Sequence, residues 1–165
     1  MTSILGNALM EDGYSFLAAA DLQRLLPEPA LADWAGFRAS WGQLGLDAHM
    51  ADGGRYRRRR FAAFFVDSGG LRRKPHQPHF QSRDHNPLNG GVERWFEPID
   101  DFIAGHSVTE AILKFGFALF DPLAPAGTRP DAWHAELHQF RIEPDAGASA
   151  PPTPEGIHRD GVDWV

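Results

Sequence analysis

The sequence has 165 residues, 42% of them hydrophobic and 12% aromatic, enough apolar side chain for a packed core, so the expectation is one domain rather than disorder. It holds no cysteine, which excludes disulfides and thiolate metal sites and leaves histidines and carboxylates as the ligands for any metal. The net charge of −6 is unevenly spread: 8 of the 16 basic residues lie between Arg55 and Lys74 with Asp67 as the one acid there, so 21 of the 22 acids lie elsewhere.

In chain order, Met1 to Asp12 lack the basic start and long apolar run of a secretory signal. No stretch approaches the roughly 20 apolar residues of a membrane span. The expectation is a soluble, cytoplasmic protein that does not act at a membrane. Asp21 to Leu26 and Ala30 to Leu44 read as covering helices separated by Pro27 and Pro29. In the second, Leu31, Trp34, Phe37, Trp41 and Leu44 recur at spacings of three and four. Arg57-Arg58-Arg59-Arg60 then leads into Phe61 to Val66, apolar on both faces, which reads as a strand entering a core. The arginines have three readings: a solvated strand end, an anion site whose forks match a substrate or cosubstrate carboxylate, or a phosphate-binding stripe. The last is disfavoured because nucleic-acid-binding domains are usually basic overall and this one is acidic.

Ser107 followed by Glu110 forms a capping box ahead of Ala111, Ile112, Phe115, Leu119 and Phe120, and Pro122 closes the run, so a helix is expected over 107–120. From Trp133 to Ile142 the chain alternates. His134, Glu136, His138, Phe140 and Ile142 share one face, with Ala135, Leu137, Gln139 and Arg141 on the other. Residues 143–156 form a loop rich in Pro, Ala, Gly and Ser, of a length that is often functional. Helices, a strand, a helix and further strands suggest an α+β fold with helices on one side of an antiparallel sheet.

Candidate metal ligands are histidines with nearby acids. His158 and Asp160, two apart in an extended segment, share a side with Cα atoms about 7 Å apart, close enough for one ion. A His and a carboxylate are two thirds of the facial set that leaves open positions on non-haem Fe(II). Alone, such a pair is common by chance and is more often a solvated turn with incidental polar residues. His134, Glu136 and His138 spread over about 13 Å along one strand, too far for one ion. His138 could instead join His158 and Asp160 from a neighbouring strand. His76 and His79, next to Pro75 and Pro78, read as a polar turn. No nucleophile-elbow, dinucleotide-binding or P-loop pattern appears.

Four segments, in order, resemble one family. They are Arg55 to Phe61; Pro78 to Pro98, through Asn86-Pro87-Leu88-Asn89-Gly90-Gly91-Val92-Glu93-Arg94-Trp95-Phe96-Glu97-Pro98; Leu137 to Ile142; and Pro154 to Gly161 with His158-Arg159-Asp160. Together they resemble the 2-oxoglutarate-Fe(II) dioxygenases that include bacterial isoleucine dioxygenase and BsmA-like proteins, over most of residues 55–165. The resemblance implies a double-stranded β-helix, or cupin-like jelly-roll, begun by 55–165 and covered by helices of 1–54, in one domain over 1–165. It implies Fe(II) held by His158 and Asp160, with 2-oxoglutarate as cosubstrate and O2 consumed. The expected reaction is hydroxylation of a free amino acid or similar small molecule, with succinate and CO2 as co-products. Gln139 and Arg141, on the strand before the His-x-Asp loop, and Gln81, Ser82, Asn86 and Arg94, from the most family-like loop, are the expected cosubstrate- and substrate-binding positions. Asn86-Pro87 and Asn89-Gly90-Gly91 are also turn formers in their own right. In the family a distal His and a cosubstrate-gripping Arg follow farther along than this sequence extends, so the sequence is expected to be part of a longer protein, its jelly-roll incomplete at the C-terminus. The competing reading is a noncatalytic jelly-roll that binds a small ligand or a partner.

Overall fold

The computed structural model describes residues 2–50, 52–144, 147, 150–152 and 160–165. Two compact units interleave along the chain: Met1–Arg38, Phe64–Arg73 and Asp101–Ala135 form one, and Ala39–Ala63, Lys74–Asp100 and Glu136–Val165 the other.

The first unit is mainly helical. Helix α1 spans Thr2–Asp12 and helix α2 Ala19–Leu25. Leu26 is extended, as the residue before a proline must be, and its amide still reaches Leu22 O at 3.1 Å. The single helix expected over 30–44 is instead three short pieces: a 3-10 turn at Glu28–Leu31, helix α3 at Trp34–Ala39 and a second 3-10 turn at Ser40–Gln43. Asp33 explains the first break. Its Oδ1 accepts the Gly36 amide at 3.1 Å, a side-chain bond that starts a new helix rather than continuing the old one.

Strand β1, Arg57–Asp67, agrees with the expected strand, and Ser68-Gly69 turns it into an unforeseen strand β2, Gly70–Arg73. The pair is antiparallel from Phe64↔Arg73 to Asp67↔Gly70, and Asp67 Oδ1 holds the Gly69 amide at 2.7 Å across the turn. Helix α4, Asp101–Ala104, precedes helix α5, Ser107–Phe120. Helix α5 lies where the periodicity predicts it, but the capping box does not form. His106 is the N-cap, its Nδ1 accepting the Val108 amide at 3.2 Å, while the Ser107 hydroxyl donates to Ala30 O at 2.9 Å and Glu110 pairs with Lys114. Buried Val108, Ala111 and Leu119 mark the inner face of α5, and Ala111 joins Leu26 and Ala30 in a cluster flanked by Leu22, Leu31 and Phe115.

In the second unit a compact aromatic core of Phe61, Ala63 and Phe96 is held by backbone bonds: Phe61 N–H to Glu97 O at 2.9 Å and Ile99 N–H to Phe61 O at 3.0 Å. Strand β3, Trp133–Ile142, completes a three-stranded sheet of order β2-β1-β3. The α+β expectation stands. Among the described residues there is one three-stranded sheet, fewer strands than the two facing sheets of a jelly-roll. Among the described residues no helix is long and apolar enough to cross a membrane.

The four guanidiniums of the arginine run have partners within the chain. Arg57 is buried against Asp47 at 2.7 Å; Arg58 meets Glu143 at 2.7 Å; Arg60 pairs with Asp100 and donates to Gln43 O at 3.2 Å. Arg59 is buried and stacked over the Phe96 ring, 3.7 Å from its centroid.

Candidate active site

Two polar assemblies occupy the second unit. The first gathers His79, Glu136 and His138, whose potential ligand atoms lie within 4.8 Å of one another. Strand β3 places Glu136 and His138 on one face. His79 is fixed by a pair of backbone bonds with Arg94, at 3.0 and 2.9 Å. Glu136 Oε2 is 2.8 Å from His79 Nδ1 and 3.2 Å from His138 Nε2, and Arg59 Nη2 is 2.6 Å from His138 Nδ1. A guanidinium only donates, so His138 Nδ1 must accept and the ring proton sits on Nε2, donated to Glu136. Burial pushes the His138 pKa down to about 4, against the opposing hydrogen bond from Glu136 and with help from the nearby Arg59 charge. Burial likewise pushes Arg59 down to about 9, partly offset by Asp47.

The second assembly centres on Gln81. Its Oε1 accepts from Arg94 Nη2 at 2.8 Å and from Asn86 Nδ2 at 3.1 Å. With the carbonyl end so engaged, the amide can only turn its NH2 the other way. There Nε2 lies 3.2 Å from Asp160 Oδ1 and 3.4 Å from Asp160 O. Asn86 and Arg94 are buried, whereas Asp160 is exposed. The loop is stitched to itself: Asn86 N–H to Ser82 O at 3.0 Å, Gly90 N–H to Asn86 O at 2.8 Å, Gly91 N–H to Gln81 O at 2.8 Å, and Asn89 N–H to Asn86 Oδ1 at 2.7 Å. Gly90 is required because a Cβ there would collide with the carbonyls of Ser82 and Asn86, and Gly91 because its φ is +78°.

The family model for 2OG-Fe dioxygenases matches residues 38–165, a span that contains both assemblies. The chain belongs to the 2OG-Fe dioxygenase family. A crystal structure of a BsmA homologue from Methylobium petroleophilum PM1 is 34% identical, with a TM-score of 0.77, over 98% of this chain and 64% of that one. This chain therefore spans less than two thirds of that relative's length. No curated protein matches the chain.

Dioxygenases of this family imply Fe(II) and 2-oxoglutarate, and the two assemblies differ in how they suit iron. The His79–Glu136–His138 cluster has the two imidazoles and one carboxylate of a facial set, yet metal at His138 Nε2 would need the lone pair that Arg59 forces to be a proton. As it stands the cluster is a hydrogen-bonded structural element and does not fit Fe(II). Asp160 does fit: a metal-ligating carboxylate normally carries an orienting hydrogen bond, and Gln81 provides one. His158 lies outside the described residues.

Of the positions expected to bind cosubstrate or substrate, Asn86 and Arg94 donate to Gln81, Gln81 donates to Asp160, and Ser82 contributes its carbonyl to the loop. Gln139 and Arg141 do not join them. Gln139 is buried with Nε2 on Ser40 Oγ at 2.8 Å, and Arg141 donates to Trp41 O at 2.5 Å and pairs with Glu143. His138 is occupied on both nitrogens by Arg59 and Glu136, which replaces the expectation that it joins His158 and Asp160. His79 and Arg59 were not foreseen as parts of one cluster. The only local signal for His79 was its place within the family-like segment Pro78 to Pro98. Next to Asp160, Gly161 adopts φ +74° with the His85 ring packed where a side chain would go.

The depressed His138 pKa makes stability pH-dependent. Between about pH 6.5, the ordinary histidine value, and about pH 4 the unfolded chain binds a proton that the folded protein refuses. Stability is fully present above that window and falls as pH drops through it, by on the order of 3 kcal/mol from this group. Urea midpoints at pH 7 and pH 4.5 are expected to differ less for His138→Gln than for wild type. An unchanged pH slope in the variant would refute the assignment.

Proposed function

We propose that this protein is an Fe(II)- and 2-oxoglutarate-dependent dioxygenase that hydroxylates a free amino acid or a similar small polar molecule. The observation that carries the reading is the family match over 38–165, together with the bond from Gln81, itself held by Asn86 and Arg94, to Asp160. His158 and Asp160 supply two of the protein ligands to iron, and residues 55–165 form the opening part of a double-stranded β-helix within one domain. Bound iron supplies the activation of O2: one oxygen atom enters succinate as 2-oxoglutarate loses CO2, and the other enters a substrate C–H bond. The chain's own residues bind and orient. Gln81, held by its two donors, fixes Asp160, and positioning of this kind is what the protein contributes when a cofactor performs the hard step. Cytoplasmic residence accords with the absence of cysteine.

The test is anaerobic loading of the protein with Fe(II), then O2, 2-oxoglutarate and a panel of amino acids, with succinate measured. Substrate-dependent succinate, lost in His158→Ala and Asp160→Ala, is the expected result. Iron bound but no succinate with any substrate would overturn the reading in favour of a noncatalytic ligand-binding protein.

A further inference from the structure

We propose that Gln81 is a positioning residue that sets how the Asp160 carboxylate meets the metal. The inference rests on the reading of Asp160 as an iron ligand. Three features of the Gln81 side chain carry it. Its carbonyl oxygen takes two donors, Arg94 Nη2 at 2.8 Å and Asn86 Nδ2 at 3.1 Å, so the amide cannot rotate without breaking both bonds. Arg94 is buried and cationic, and a charged donor on a carbonyl strengthens the opposite N–H as a donor. That N–H faces Asp160 Oδ1 at 3.2 Å and its backbone carbonyl at 3.4 Å, touching the side chain and main chain of one residue.

The consequence is a carboxylate with a set orientation. The amide holds Asp160 at Oδ1 and at its main-chain carbonyl, so the direction in which the carboxylate would meet a metal depends on Gln81 keeping its donor. Arg94 and Asn86 act at one remove. They hold Gln81, and Gln81 holds Asp160.

Gln81→Glu tests this because it keeps the side chain's size and its bonds from Arg94 and Asn86 but removes the donor and faces Asp160 with an acceptor. The protein is titrated with Co(II) alone under anaerobic conditions, and affinity and visible ligand-field spectrum are read for wild type, Gln81→Glu, Gln81→Ala and Asp160→Ala. Thermal melts of the metal-free forms report folding. The expected result is a loss of about 10- to 100-fold in Co(II) affinity and an altered spectrum in both Gln81 variants, with melts close to wild type. Wild-type affinity and spectrum in either well-folded Gln81 variant, while Asp160→Ala loses the metal, would overturn the role of Gln81 alone. No Co(II) binding by wild type, or full binding by Asp160→Ala, would overturn the metal reading and this inference with it.

Discussion

Replacing Asp47 with alanine should lower stability by about 3 to 5 kcal/mol, because it strands a guanidinium in the interior. Arg57 and Asp47 are both almost fully buried and meet at 2.7 Å. The same carboxylate caps the His49 amide at 2.9 Å, and the two backbones are joined by Asp47 N–H to Arg57 O at 2.9 Å. Taking two charges out of water is costly, and only their mutual attraction and these hydrogen bonds offset it. Removing one partner leaves the cost without the offset. Arg59 responds too, since Asp47 is the main charge holding its pKa up. The check is the urea midpoint of Asp47→Ala against that of Asp21→Ala, whose ion pair with Arg24 is exposed and should be worth less than about 1 kcal/mol. The double variant Asp47→Leu with Arg57→Met should recover much of the loss. Equal, small effects for Asp47→Ala and Asp21→Ala would show that Arg57 finds water.

Phe61→Ala is expected to be comparably damaging, at about 3 to 5 kcal/mol, for a different reason. Its side chain is fully buried, with ring centroids of His138, His79 and Phe96 at 4.9, 5.7 and 6.5 Å. Truncation opens a cavity beside the histidine cluster. Water entering that cavity would relieve the burial that depresses His138, so its pKa should climb back toward the ordinary value. Two measurements therefore move together: the denaturation midpoint falls, and the His138 ring resonances titrate at higher pH. A stability loss with no change in the titration would mean that the cavity stays dry.

The parts of the fold legible from the sequence are those with a local cause. Strands β1 and β3 and helix α5 follow from side-chain periodicity, which is set by neighbours a few residues apart. What was misread depends on distant partners. Ser107 looks like a cap until Ala30 O takes its hydroxyl, and then the imidazole of His106 takes over. The arginines of β1 look unpartnered because Asp47, Asp100 and Glu143 are scattered along the chain. His79 looks like a turn residue because Glu136, 57 positions on, is what buries it in a cluster. Alternation on β3 separated two faces correctly but could not say which served the site, so Gln139 and Arg141 were expected there although they bond to Ser40 and Trp41. The family-like loop was the most informative stretch, because Asn86 and Arg94 bond to Gln81 and Gln81 bonds to Asp160.

The stitching of residues 81–91 also divides that loop for anyone wishing to redesign it. Gln81, Asn86, Asn89, Gly90 and Gly91 hold their neighbours' backbone or depend on having no side chain, so variation there would unmake the scaffold. Asp84, Pro87 and Leu88 are exposed on the same loop. A combinatorial library confined to these three positions keeps the frame intact while changing the chemistry it displays.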